Sequence, residues 1–479
     1  VSIVPEGPTR DASGPTFYYL SHGGTGLKGT RIVSHGGTVN RVKTGFEYLS
    51  NLRPWNGGGD FSLAAISQVM NRLDNPQDKV PTVHVAGTNG KGSVSAATAS
   101  ILGKCGYKVG MNISPHLQKI NERIVIDGLS CTDDFIGEFA YSVKQAAHKD
   151  LVDLSFHEAI TAVAFLGLCE IGVEWSVIEV GLGGRLDASN VISRPAATAI
   201  VTISFDHQAI LGDTLGQIAA EKAGIIKRGS PLITGVLGKE ADSVISKMAS
   251  GVQHYKFGRD FDARFKDGGK CIEYWGKSFP GGSNISFDFT QGLPGAHQGH
   301  NLSVAASIGL ALGLPIPAIK AGIEGVFWPG RLEDVEVSGF KLVLDCAHNP
   351  AGIESFISFL ESRQARGIDL TFGVLDTKNW QEMVKKLSPY VKTWRLLTPD
   401  SERALPLETL SKELQASCSG VRIEAYGNDY ERCLRDILSQ AESGSAYITG
   451  SMYMLGRLRE MLCVPERPLW TRSTTNAVL

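Results

Sequence analysis

Lys91 and Ser93 close a glycine-rich run, Gly87-Thr88-Asn89-Gly90-Lys91-Gly92-Ser93, whose residue types and spacing point to phosphate chemistry. Glycines let backbone N–H groups converge on an anion without Cβ clashes. A lysine beside them reaches the outer phosphates of a nucleotide, and a serine hydroxyl can ligate Mg²⁺. The match to GxxxxGK[ST] is incomplete. Val85 stands six residues before Lys91, where a glycine is usual, and Gly92 separates Lys91 from Ser93. A glycine-rich loop that binds nothing is the alternative. Further reactive types recur downstream. Glu179 ends an apolar run and precedes Gly181-Leu182-Gly183-Gly184-Arg185-Leu186-Asp187; Asp206-His207 follows another such run. An acid at such a place either holds a cation or pairs with a buried base. Lys222, within Ile218–Ile226, is a functional amine or a solvated helix residue, and the composition of that stretch favours the solvated reading.

The elements that must position these residues are legible in outline. Val83 to Ala86 is a short buried strand, and Val94 onward, rich in Ala and Ser, is helical. Strand, glycine turn and helix make a phosphate cradle, with the partial positive charge of the helix N-terminus added. Trp175–Val180 and Ala197–Ile203 are continuous apolar strands, as expected of a parallel sheet covered on both faces. Ligands in such sheets sit at the carboxyl ends of the strands. Three of those ends carry Gly87–Ser93, Glu179–Arg185 and Asp206–His207.

Phe327-Trp328-Pro329-Gly330-Arg331 reads as a break between domains. A second α/β pattern follows, with strands at Phe340–Asp345, Leu370–Leu375, Thr393–Leu397 and Tyr447–Thr449. The first of these runs into Cys346-Ala347-His348-Asn349-Pro350. The expected organisation is a leader over residues 1–44, a central domain over 45–329 and a C-terminal α/β domain over 330–479, ending in a polar tail from Glu466. The leader repeats SHGGT at Ser21–Thr25 and Ser34–Thr38 and reads as disordered or as a targeting segment.

With 479 residues, 42% hydrophobic and 20% charged, the chain has the composition of an ordinary soluble globular protein. A net charge of −2 gives no general attraction to nucleic acid or anionic membrane, so neither is expected as a partner. The eight cysteines are scattered without a CxxC pair, which argues against a disulfide framework. A soluble protein of cytoplasm or mitochondrion is expected. A monomer is expected too, because no large apolar surface stripe shows in the sequence.

Taken together, HVAGTNGKGS (84–93), SPHL (114–117), NERI (121–124), VIEVGLGGRLDASN (177–190), SFDHQAILGDTLGQIAAEKAGIIK (204–227), HQGHN (297–301), GRLE (330–333) and LDCAHNPAG (344–352) resemble the folylpolyglutamate synthase and dihydrofolate synthase family of the Mur-ligase superfamily. The order and spacing of these motifs extend the resemblance over roughly residues 45–460. It implies a Mur-ligase-like α/β fold: a P-loop-type, mostly parallel sheet in the N-terminal domain, and a smaller C-terminal α/β domain. It also implies an ATP-dependent amide ligase in which a carboxylate is phosphorylated and the amino group of L-glutamate then displaces phosphate.

By that likeness, Gly87 to Ser93 hold the nucleotide phosphates, with Asn301 and Arg331 as further nucleotide contacts. Ser114, Glu179 and His207 are the implied Mg²⁺ ligands. Lys91, Lys222, Asp345 and His348 are the implied catalytic residues, with Lys222 at a position that is N-carbamylated in many relatives. Asp345 and His348 could instead be capping and turn residues. Arg123, Phe156 and Arg185 are implied substrate contacts, although Phe156 could equally be core. Leu154-Ser155-Phe156-His157-Glu158 resembles the segment that lines a pterin site in bifunctional members, with His157 in place of the usual aromatic. Asn89 and Arg185 lean toward dihydropteroate as the acceptor of glutamate. Extension of folate with γ-linked glutamates is the alternative. A cell-wall ligase is disfavoured because no uridine-diphosphate site is evident, and the intact reactive residues speak against a catalytically dead phosphate-binding regulator.

Overall fold

In the computed structural model, the described residues are 38–473 apart from 54–61, 150, 267–269, 281, 338, 418–419 and 440–445. The described part opens with α1 (Thr38–Asn51) and α2 (Ala64–Arg72). It continues through β1 (Thr82–Ala86), α3 (Lys91–Lys104), β2 (Val109–Asn112), β3 (Ile124–Ile126), β4 (Leu129–Ser130), α4 (Asp133–Lys149) and α5 (Phe156–Glu170). Next come β5 (Trp175–Glu179), β6 (Ala197–Ile200), α6 (Gln208–Leu211), α7 (Leu215–Ala223), β7 (Leu232–Thr234), α8 (Lys239–Met248) and β8 (His254–Lys256). These eight strands form one sheet in the order β4-β3-β2-β5-β1-β6-β7-β8, parallel except at β3 and β4. β1 lies between β5 and β6, so the glycine loop, Glu179 and the segment leading to Asp206 leave neighbouring strands at one edge. That is the switch point at which such sheets bind ligands.

Helix α3 packs closely because its sequence is small. From Gly92 to Gly103 every residue is buried. After a three-stranded antiparallel sheet, β9 (Phe261–Lys266), β10 (Cys271–Phe279) and β11 (Gly282–Thr290), come α9 (Ala296–Ala311) and α10 (Ile316–Glu324). A Cβ on Gly322 of α10 would stand 2.5 Å from the Ile101 Cα, so glycine is what permits the approach to α3. Apolar clusters cover both faces of the large sheet.

The second domain holds β12 (Glu333–Val337), β13 (Phe340–Leu344), α11 (Pro350–Ser362), β14 (Ile368–Phe372), α12 (Trp380–Leu387), β15 (Val391–Leu397), α13 (Leu407–Ser417), β16 (Arg422–Gly427), α14 (Tyr430–Ser439), β17 (Ala446–Thr449) and α15 (Met452–Met461). Its sheet runs β12-β13-β17-β14-β15-β16, antiparallel only at β12. The four strands expected here are β13, β14, β15 and β17. β12 and β16 are added at its two edges, where partly exposed strands carry charged residues that mask the apolar signal. Among the described residues no helix is long and apolar enough to cross a membrane.

Two expectations are corrected. The leader does not extend to residue 44, because α1 starts at Thr38 and lies against α4, where Gly45 and Gly137 allow the backbones to meet; residues 1–37, with the first SHGGT and all of the second but Thr38, lie outside the described residues. Nor does a polar tail simply close the chain. Leu469 and Trp470, the latter 1% exposed, enter the core of the first domain. Phe327 N donates to Leu469 O (2.8 Å), Leu469 N to Gly128 O (2.8 Å) and Ser473 N to Gly103 O (3.0 Å). Two isolated apolar residues in a polar run carry no periodicity to announce this burial. Trp470→Ala is expected to cost about 3–5 kcal/mol, seen as a lowered urea midpoint at unchanged slope. An unchanged midpoint would mean that the returning segment adds nothing to the core.

Candidate active site

All the candidate residues from the sequence line one cleft of ≈ 1590 Å³ between the two domains. Its floor is the glycine loop. Gly90, at φ 82°, precedes α3, and Lys91 is the first residue of the helix. A Cβ at Gly90 would come 2.5 Å from Asn301 Oδ1 and 2.9 Å from Val201 Cγ1. Asn301, on α9, is held by Gln298 Oε1 at 2.9 Å, which fixes its carbonyl oxygen over the loop. A Cβ at Gly92 would meet the Trp328 indole at 2.8 Å. Close approach requires both glycines, and the left-handed turn adds a second reason at Gly90.

Lys91 Nζ lies 3.8 Å from Glu179 Oε1 and 3.3 Å from Thr88 O. Glu179 ends β5, which pairs with β1, so the strand register makes this juxtaposition. Burial pushes the Glu179 carboxyl up to about 7, against the pull of Lys91 and Arg331. The backbone N–H of Ser114, just beyond β2, also donates to Glu179, while Ser114 Oγ is buried without a hydrogen-bond partner. A poorly compensated carboxylate beside an orphaned hydroxyl fits a hard cation with oxygen ligands. No group of three or more His, Cys, Asp or Glu among the described residues could hold a metal by itself. Mg²⁺ here would therefore be shared with phosphate oxygens and water.

Lys222 is not the solvated residue that its stretch suggested. It is 4% exposed, and burial with the nearby charge of Lys91 lowers its amine to about 7. The Gly183-Gly184 turn packs against it: a Cβ on Gly184 would lie 3.0 Å from Lys222 Cα. Arg185 holds the same helix, donating to Glu221 Oε1 through Nε (3.1 Å) and Nη2 (2.9 Å). Its guanidinium thus braces α7 at the edge of the cleft. Phe156 opens α5 behind a capping box of Ser155 and Glu158, and the Arg123 guanidinium lies 5.3 Å from its ring centroid. Arg123 Nε donates to His116 Nδ1 (2.9 Å).

From the second domain, Asp345 accepts from Leu332 N (3.0 Å) and Ala347 N (2.9 Å). Burial raises its pKa, opposed by Arg331. His348 Nδ1 meets Cys346 O at 2.8 Å, so Nδ1 carries the proton and Nε2 the lone pair. Burial holds both His207 and His348 down at about 4, hence neutral near pH 7.

Other residues in the cleft have partners that the sequence did not assign. Asp206 pairs with Lys378 of the second domain at 2.7 Å. Burial alone would raise the Asp206 pKa, but Lys378 and the two histidines hold it below the usual carboxylate range. Asp187 accepts from His157 Nε2 (3.1 Å), Leu182 N (2.9 Å) and Ser189 N (3.0 Å). Asn349, rather than Asp345 or His348, caps α11, accepting from Gly352 N at 2.8 Å. Asp187 and Asn349 lie inside motifs already recognised. Lys378 is a lone loop lysine with no local signal.

Residues 85–309 match the Mur ligase middle domain, and residues 330–451 match the Mur ligase glutamate ligase domain. The dihydrofolate synthase/folylpolyglutamate synthase of Bacillus subtilis is 34% identical over 425 residues, covering 84% of this chain and 94% of the relative. The chain belongs to the dihydrofolate synthase/folylpolyglutamate synthase family of Mur ligases. The folylpolyglutamate synthase of Lacticaseibacillus casei, another member, is 32% identical and covers 83% of this chain and 93% of its own length. The fold agrees. A folylpolyglutamate synthase from Mycobacterium tuberculosis, solved with ADP, superposes with a TM-score of 0.78 at 27% identity, over 90% of this chain and 100% of that one.

In this family member the fit at Gly90 is testable. Gly90→Ala forces a side chain into a left-handed turn and onto Asn301. It is expected to weaken binding of Mg²⁺ and a non-hydrolysable ATP analogue by about tenfold or more, ~1.4 kcal/mol or above. Calorimetric titration that gave wild-type affinity would show that the loop does not grip the phosphates.

Proposed function

We propose that this protein ligates L-glutamate to dihydropteroate with ATP, forming dihydrofolate through an acyl phosphate. The observation that carries this reading is the convergence of three adjacent strand ends and the Asp345–His348 turn on one cleft, in a chain similar over most of its length to the Bacillus enzyme. A second reading, extension of tetrahydrofolate by γ-linked glutamates, is favoured by the comparable likeness to the Lacticaseibacillus synthase.

A carboxylate is a poor electrophile until phosphorylation gives it a leaving group. The substrate carboxylate oxygen attacks the γ-phosphorus of ATP, and the bond to the β-γ bridging oxygen breaks to release ADP. The glutamate nitrogen then attacks the acyl carbon, and inorganic phosphate departs. Lys91 and the N–H groups of the loop neutralise charge that builds on the transferring phosphoryl group. Ser114, Glu179 and His207 would hold Mg²⁺, which supplies further neutralisation of the phosphates when bound. Arg331, half-buried beside Asp345 and Glu179, steadies the nucleotide. His348 Nε2, which carries the lone pair and lies 3.9 Å from Asp206 Oδ2, takes the proton that the attacking amine must lose. Arg123 and Phe156 form the wall against which the acceptor substrate lies. Lys222 acts as its N-carbamate: a lysine lowered to about 7 is substantially neutral at physiological pH, the form that adds CO₂.

The deciding assay is ATP- and Mg²⁺-dependent incorporation of labelled glutamate, with dihydropteroate and tetrahydrofolate in parallel. Incorporation with dihydropteroate supports the first reading, incorporation with tetrahydrofolate alone supports the second, and none with either overturns both. Glu179→Gln should raise the Mg²⁺ concentration needed for half-maximal rate; normal turnover at ordinary Mg²⁺ would refute the metal assignment. Because the Lys222 amine protonates as pH falls through about 7, native mass spectrometry in bicarbonate should show one added CO₂ at pH 8 that fades at pH 6. The adduct should be missing from Lys222→Ala, and an unmodified wild type at pH 8 would count against the carbamate.

A further inference from the structure

Asn349 is 2% exposed and uses its whole amide. Oδ1 accepts from Gly352 N (2.8 Å) and from Asn89 Nδ2 (3.2 Å). Nδ2 donates to Asn89 Oδ1 (3.0 Å) and to Asp206 Oδ2 (3.0 Å). Two donors and two acceptor directions exhaust what a primary amide offers at these sites. A rotated amide would set its NH₂ against the Gly352 N–H, so the helix cap dictates which end faces which partner.

The two partners are on the other domain and belong to the two loops that handle phosphate. Asn89 lies two residues before Lys91, and Asp206 immediately precedes His207. Within the first domain those loops are already tied. Thr88 Oγ1 donates to Ser204 O (3.1 Å), and Thr202 Oγ1 bonds Asn89 O (3.0 Å). Asn349 adds the tie from across the cleft, and Lys378 Nζ supports it by holding the other oxygen of Asp206 at 2.7 Å. His348 is the preceding residue, so docking of the Asn349 amide also sets where the His348 ring enters the cleft.

We infer that Asn349 is a positioning residue, which through its reciprocal pair with Asn89 and its bond to Asp206 locks the closed cleft in the register that phosphoryl transfer requires. This rests on the ligase reading above. Nucleotide binds mainly to the first domain, so loss of the lock slows the chemical step more than it weakens ATP binding.

The test is a double-mutant cycle on the full chain with Asn89→Ala and Asn349→Ser. Serine still caps α11 but cannot reach Asn89 or Asp206. Rates are normalised to the fraction of sites that bind ADP, which removes any loss due to misfolding. Each single variant is expected to lower kcat about tenfold while KM for ATP moves less than about threefold. The double variant should fall no more than about twofold below the worse single one, because both remove one shared interaction. Losses that multiply, kcat values that stay at wild type, or a KM for ATP that rises as steeply as kcat falls would each overturn the lock. If wild type turns over and the cycle is additive, the ligase reading stands and only the lock fails. A wild type inert toward both acceptors overturns the ligase reading, and the lock with it.

Discussion

A buried acid and a half-buried amine meet at the carboxyl edge of the large sheet, and much of the first domain serves to bring them there. Glu179 and Lys91 stand 3.8 Å apart because β5 and β1 are parallel neighbours, one ending in the acid and the other feeding the glycine loop. The pull of Lys91 and Arg331 does not compensate the desolvated carboxylate, whose pKa stays raised. A site of this kind is costly to fold around. The orphaned Ser114 hydroxyl at the same spot completes the picture of a site arranged for charge that arrives with a ligand.

The same economy of backbone geometry governs the approach of the second domain. Trp328 lies against Gly92, and Cys346 N donates to Gly330 O, so the inter-domain break is packed onto the helix that carries Lys91. Glu333 and Arg459 make a buried bidentate pair (3.2 Å each), and Arg459 also donates to Gln118 of the loop after Ser114. The chain then returns to the first domain through Leu469 and Trp470. Two chain crossings and a buried ion pair therefore surround the cleft, and its phosphate-binding floor and Asp345–His348 wall are held in a definite relation.

Electrostatics inside the cleft separates groups of similar type into different roles. Asp206, paired with Lys378, is held ionised, whereas Glu179 is raised toward neutrality by burial. Lys222 is lowered toward its neutral form. Each difference follows from the balance between burial and the charges nearby rather than from residue type.

The sequence by itself determined the phosphate cradle, the apolar strands whose ends carry Glu179 and Asp206-His207, and the two-domain α/β plan. These signals are local: a glycine turn between strand and helix, and apolar runs of strand length. Ser114, Arg123, Asn301, Arg331, Asp345 and His348 carry no such signal and entered only through the resemblance of their motifs to a known family. Tertiary structure alone decided that Lys222 is buried, that Arg185 braces α7 through Glu221, and that Leu469 and Trp470 belong to the first core. It alone brought Lys378 to Asp206 and Asn349 to Asn89, pairs separated by 172 and 260 residues. Such contacts depend on how two independently patterned domains dock. A lone lysine or asparagine in a loop has no periodicity or neighbour that encodes its partner, so only the docked fold can assign it one.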